Sequence, residues 1–295
     1  MYQEDFQQFL QQNCDRKQFI LDILSDFGIK GHILSLDNSA HIIVRFPHDA
    51  YNPQFRMKTV LVHYDRVPGS PGANDNSAAV FQVLYWARRL LRFPGSHNVK
   101  IIFSDGEEMG NSEGVSEQGA FGIASKFRQL GLTNEDIYVF DCCGRGDVFV
   151  LSKAGSGQGS PGFQRQFNSL IHRTEDLLRR VSPNRWLTLP VPYSDNAGFL
   201  ACGIPAVAIT VLPSSEAVTY MRNLQRIPGL EASIMKGTLP KNAKPLEPYE
   251  VQEKMPATWR LLHTEYDNIS SLTPQTNALM EKLLDSLAHL RTPIW

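Results

Sequence analysis

Three short runs of β-branched and aromatic residues, TVLVH at 59–63, VKIIF at 99–103 and IYVF at 137–140, each break off into polar or acidic residues. Segments of helical periodicity lie between them. Residues 77–91 put Ala79, Val80, Val83, Leu84, Ala87 and Leu91 on one face, and residues 119–130 form the next helix. Strands that are apolar throughout must be covered on both faces. Alternation with amphipathic helices therefore predicts an α/β fold, a three-layer sandwich whose mixed, mostly parallel central sheet is covered by helices on both faces.

The rest of the chain extends this pattern. Helices are expected at 3–12 and 17–27, where Gly28 supplies a stop, and strands at 33–36, 42–46 and 148–152. A helix spans 163–181, and the last one spans 274–290. Residues 196–215 carry no charge, but Gly198, Gly203, Pro205 and Pro213 break them into two pieces. A membrane span needs ~20 predominantly apolar residues in one helix. A short helix, a turn at Gly203 and a buried strand at 206–212 fit better. Residues 214–260, rich in Pro, Gly, Lys and Glu, are too long for a plain connection. They read as a surface insertion in a single catalytic domain spanning 1–295, with one short helix near 216–224. Its ends approach the carboxyl edge of the sheet, so it is expected to shape substrate access or a subunit contact.

Charge narrows the partners. Lys plus Arg is 29 and Asp plus Glu is 30, so the chain has no basic footprint for nucleic acid. The amino terminus carries acids and glutamines where a secretory signal would need a basic patch and an apolar run. Cys14, Cys142, Cys143 and Cys202 follow neither disulfide nor zinc-ribbon spacing. The expectation is a cytoplasmic protein that engages neither membrane nor nucleic acid.

Chemistry collects where the three strands end. The first runs into His63 and Asp65, the second into Asp105, Glu107 and Glu108, and the third into Asp141. Ligands of open α/β sheets gather outside the carboxyl ends of the strands. Charged groups there escape the cost of burial by pairing or by holding a cation. Asp75, in a glycine-flanked loop heading a helix, offers two oxygens that can bridge two ions. Neighbouring side chains on extended backbone point apart, so Glu108 can coordinate while Glu107 faces water as a general base. His263 in LLHTEYDN is a further imidazole, and Asp65 suits an orienting role behind His63. Asp195 either caps the helix that follows it or lines the pocket. Two histidines with three carboxylates (His63, Asp75, Glu108, Asp141 and His263) suit zinc, and a pair of ions would support metal-assisted hydrolysis.

Six motifs in order resemble the zinc-dependent exopeptidase family that includes the bacterial leucyl-type co-catalytic aminopeptidases, whose fold the glutaminyl cyclases share. They are HYD at 63–65, GANDNSAAV at 72–80, FSDGEE at 103–108, VFD at 139–141, SDNAGFLACGIPAV at 194–207 and HTEYDN at 263–268. The resemblance implies a bridging Asp75, one ion completed by His63 and Asp141, and the other by Glu108 and His263. It implies Glu107 as the proton carrier and a peptide or aminoacyl substrate with a free amino terminus. Asn196 departs from the His that the family often has there, and two features are instead reminiscent of the cyclases: the long interval 109–118 after the glutamates and the phrase DGEE at 105–108. That alternative implies one zinc, with Asp141 and Asp195 in an acid network. The third alternative is a metal-free binding protein on the same fold. Tyr64, Tyr193 and Trp259 are candidate substrate contacts, and Cys142 and Cys143 read as buried small apolar groups.

Overall fold

The computed structural model describes residues 3–108, 114–235, 239 and 243–294. Its frame is one eight-stranded sheet in the order β1-β2-β4-β3-β5-β8-β6-β7. The strands are β1 Gly31–Leu36, β2 Ser39–Val44, β3 Lys58–His63, β4 Val99–Ser104, β5 Asp136–Phe140, β6 Val148–Ser152, β7 Trp186–Leu189 and β8 Ala206–Leu212. The centre, β4-β3-β5-β8, is parallel, whereas β1, β2 and β6 bring antiparallel pairings toward the edges. Each residue of β3, β4, β5 and β8 is buried, as strands covered on both faces require.

Helices cover both faces, so the predicted three-layer sandwich is borne out. On one face lie α1 (Gln3–Phe9), α2 (Arg16–Asp26), α3 (Ala78–Leu90), α5 (Pro161–Val181) and α11 (Pro274–His289). Their apolar stripes meet Val60, Val62, Ile101, Phe103, Tyr138 and Phe140 from the sheet. The other face carries α4 (Gly119–Gln129) and α6 (Asn196–Ala201), packed on Leu61, Ile102, Ile137 and Val139. Alternation along β3 splits Val60 and Val62 from Leu61, as strand geometry demands. The α4–α6 contact is close: a Cβ on Gly198 would stand 2.5 Å from the Phe121 amide nitrogen.

The structure corrects the sequence reading in two places outside the site. Strand β7 is absent from the elements expected from sequence; its WLTL residues are largely half-buried and lie between Asn184 and Pro190, so neither alternation nor a continuous apolar run announces it. Residues 214–260 hold more than one short helix: α7 (Ser214–Arg226), α8 (Leu230–Ile234), α9 (Pro248–Lys254) and α10 (Ala257–Leu261). Their apolar sides share a cluster with Val148, Val150 and Leu212, so the segment extends the second helical layer over β6 and β8. Residues 236–238 and 240–242 of that segment lie outside the described residues, as do 109–113 of the interval after the glutamates. No helix among the described residues is long and apolar enough to cross a membrane.

Candidate metal centre

At the carboxyl end of β3, His63 is 1% exposed, and among the described residues neither of its ring nitrogens makes a well-aligned hydrogen bond. Carboxylates surround it instead. Nε2 lies 3.2 Å from Asp75 Oδ1 and 3.4 Å from Asp141 Oδ1, and Nδ1 lies 3.5 Å from Asp65 Oδ1. The other oxygen of Asp75 faces the second histidine, 3.2 Å from His263 Nε2, which stands 3.0 Å from Glu108 Oε2. Asp75 thus reaches both imidazoles, one with each oxygen. Ligand atoms converge within 4.8 Å of one another in His63–Asp75–Asp141 and in Asp75–Glu108–His263. A further group joins His63 with Glu107 and Glu108. The five residues proposed as ligands from sequence are therefore brought together from five segments of the chain.

The local backbone explains how Asp75 reaches this position. Gly72 adopts a left-handed conformation at φ 63, and a Cβ there would lie 2.6 Å from the Asp75 carbonyl oxygen. The chain then makes a wide turn over Ala73–Ser77, with a cis peptide between Asp75 and Asn76, and enters α3. Asp267 accepts the Asn74 and Asp75 amides at 2.8 and 3.0 Å. The Asn76 side chain donates to Phe140 O at 2.8 Å and accepts from the Cys142 amide at 3.2 Å, which locks the turn to the end of β5 where Asp141 stands. Asn74 Oδ1 accepts the Gly144 amide at 2.8 Å.

Electrostatics follow from this crowding of acids. Burial disfavours the His63 imidazolium, but contacts with Asp141, Asp65 and Asp75 outweigh it and hold its pKa well above the usual value. Asp75 and Glu108 push His263 up to about 10. Burial raises Glu107 well above the ordinary carboxylate range; nearby His63 pulls it down, while Asp141 and Asp195 add to the rise. Asp195, fully buried, is pushed up to about 7. The same negative potential that retains protons on two imidazoles is available to a divalent cation, whose binding would release them. The donor set of imidazole and carboxylate, with ligand atoms converging on buried His63 without well-aligned hydrogen bonds to it, fits zinc.

The remaining predicted residues fall as follows. Asp65 stands beside His63 and accepts the Glu108 amide at 3.0 Å, so it touches both a histidine and the adjacent glutamate segment. Glu107 and Glu108 lie on a turn, not on extended backbone; Glu107 points inward at 4% exposure and accepts from Gln118 Nε2 at 3.2 Å. Asp195 precedes α6 but does not cap it: its Oδ2 accepts the Ser104 hydroxyl. A cleft lined by Asp75, Glu107 and Asp141 continues past Cys142 to an apolar wall of Val191, Tyr193 and Trp259. Tyr64 is absent from that lining; its hydroxyl donates to Ala40 O at 2.6 Å, so the buried phenol is committed elsewhere. Cys142 and Cys143 are buried. Sequence reasoning passed over Asp267, Asn74, Asn76 and Gln118. Asp267 carried the one available signal, a second acid four residues after His263.

The model of peptidase family M28 matches residues 41–288. Aminopeptidase YwaD of Bacillus subtilis (strain 168) is 43% identical over 51 residues, 17% of this chain, and the chain spans only 11% of that relative. Among solved structures, the glutaminyl cyclase of Porphyromonas gingivalis superposes with a TM-score of 0.61 at 17% identity, covering 92% of this chain and 88% of the other. The aminopeptidase from Aneurinibacillus sp. strain AM-1 gives 0.53 at 15% identity, covering 86% and 48%. These structural likenesses speak to the fold, whereas the family match spans most of the chain, including the positions of the cluster. With His63, Asp75, Glu107, Glu108, Asp141, Asp195 and His263 all inside the matched span, the chain belongs to peptidase family M28.

Proposed function

We propose that the protein is a metal-dependent aminopeptidase that hydrolyses the amino-terminal peptide bond of a peptide or aminoacyl substrate. The observation carrying this reading is Asp75, whose two oxygens face two histidines, each of which also meets a further carboxylate. Such a constellation has ligands for two ions: His63 and Asp141 with Asp75 on one side, Glu108 and His263 on the other. Zinc held there supplies Lewis acidity toward a carbonyl and lowers the pKa of water.

The chain's own residues do the rest. Glu107, turned into the cleft, takes a proton from the attacking water on its carboxylate and returns it to the leaving amine. Asp65 orients the His63 ring from its Nδ1 side. Asp75, Glu107 and Asp141 make the cleft's inner end acidic, which favours a cationic α-amino group, while Val191, Tyr193 and Trp259 offer an apolar wall to the side chain. Trp259 comes from the end of the 214–260 segment, which supports a role for that segment in substrate access. The reading includes one catalytic domain over 1–295 and a cytoplasmic location, the latter supported by four free thiols.

A second reading, an N-terminal glutaminyl cyclase with one zinc, is favoured by the buried acids Glu107 and Asp195, whose pKa values are raised by burial and further by the nearby Asp141 carboxylate. One experiment tests both. Purified protein is assayed for zinc content and against aminoacyl and N-terminal glutaminyl substrates, with and without chelator. Chelator-sensitive hydrolysis with two zinc ions per chain supports the aminopeptidase; ring closure with one ion supports the cyclase. Protein that retains no metal and turns over neither substrate is a binding protein, and both enzymatic readings fall.

A further inference from the structure

The two amino-terminal helices precede the family-matched residues 41–288, yet one side chain connects them to the metal centre. Arg16, the first residue of α2, is 6% exposed. Its Nη1 donates to Tyr64 O at 2.9 Å and reaches Asp65 O at 3.5 Å. Its Nη2 donates to Pro71 O and to Ser77 Oγ, both at 2.9 Å. These acceptors stand at the two ends of one loop. Tyr64 directly follows His63, and Ser77 is two residues past Asp75. The Ser77 hydroxyl passes the connection on to Gly72 O at 2.5 Å, across the wide turn. Beneath the guanidinium lies the Phe9 ring, 4.5 Å from its carbon to the ring centre, so the fork is held by packing as well as by hydrogen bonds.

We propose that Arg16 is a positioning residue of the metal centre. One planar fork sets the distance between the strand end carrying His63 and Asp65 and the turn carrying Asp75. This rests on the reading of the cluster as a metal site. Guanidinium is suited to the task because its donors diverge at fixed angles and engage two flanks at once; an ammonium is a single point of donors on a flexible stem. Arg66 reinforces the same loop from outside, donating to Leu10 O, Gln11 O and Pro71 O, but it grips one flank only. Groups that orient metal ligands from behind typically contribute 10–100-fold to metal affinity.

The test is zinc affinity of the full chain, measured by competition with a chromophoric chelator, beside thermal unfolding. Arg16→Lys keeps the charge but not the span, and is expected to lose about 10–100-fold in zinc affinity. Leu24→Ala is the control: Leu24 is a fully buried residue of the same helix, so the variant loosens α2 and lowers Tm while zinc affinity stays as in the unaltered chain. Should Arg16→Lys fail to fold, Ser77→Ala removes a single anchor and is expected to weaken zinc binding by a smaller factor. Unchanged affinity in whichever variant folds overturns the proposal while leaving the metal site standing. So does a Leu24→Ala variant whose affinity falls in step with its Tm. An unaltered chain that binds no zinc overturns the metal reading itself, and Arg16's role with it.

Discussion

Asp267 holds Asp75 by its backbone: Oδ2 accepts the Asp75 amide at 3.0 Å while Oδ1 takes the neighbouring Asn74 amide at 2.8 Å. One loop, 263–267, thus supplies a candidate ligand, His263, and the clamp for Asp75, the carboxylate proposed to bridge. Asp267→Ala removes the clamp and leaves every ligand side chain in place. The expected result is a ~10–100-fold loss of zinc affinity, read by chelator competition. Asp267→Asn, which offers one acceptor oxygen to two amides, should fall between the two.

In the proposed mechanism Glu107 carries the proton while the acids around it hold metal or position its ligands. Glu107→Gln keeps the volume and the contact with Gln118 but cannot accept a proton. Zinc content and Tm should stay near those of the unaltered chain while kcat drops by ~10²–10⁴. Near-normal turnover would remove Glu107 from the proton path.

Stoichiometry separates the shared ligand from a terminal one. His263, at 41% side-chain exposure, can be cut to alanine with little cost to packing. His263→Ala should retain about one zinc of two, whereas Asp75→Ala should lose both, as measured by elemental analysis after dialysis.

Zinc should also stabilise the fold, because the carboxylates of Asp65, Asp75, Glu108 and Asp141 crowd around the imidazoles of His63 and His263. For an ion that binds only the folded state, the gain is about 2.7 kcal/mol at a hundredfold excess over Kd. Thermal scans with and without chelator should show a Tm that rises with zinc in the unaltered chain and not in Asp75→Ala.

Packing between α4 and α6 gives a prediction independent of metal. A methyl at Gly198 would meet the backbone of Ala120 and Phe121 at 2.7 and 2.5 Å, and backbone cannot step aside as a side-chain end can. Gly198→Ala should destabilise the protein by ~1–3 kcal/mol in denaturant unfolding, despite the better helix propensity of alanine.

The sequence alone determined the sandwich and the identity of the ligand types. Continuous apolar strands such as 59–63 and 99–103 leave no face for water, and their polar ends mark one edge of the sheet; both are local properties that periodicity reports. The same holds for α3 and α5, whose stripes recur at helical spacing. Elements held mainly by neighbours were not legible: β7 is four largely half-buried residues completing an edge, and of the helices in 214–260 only α7 was expected, while α8, α9 and α10 are ordered by packing over β6 and β8. Tertiary structure alone decided that Asp195 turns toward Ser104 instead of capping α6, that Tyr64 is committed to Ala40, and that Asp267 and Arg16 stand behind Asp75. Side-chain type fixes which bonds a residue can make, but the partner available to it depends on distant segments, such as Asp267, 192 positions from Asp75, brought close by the closing of the sheet.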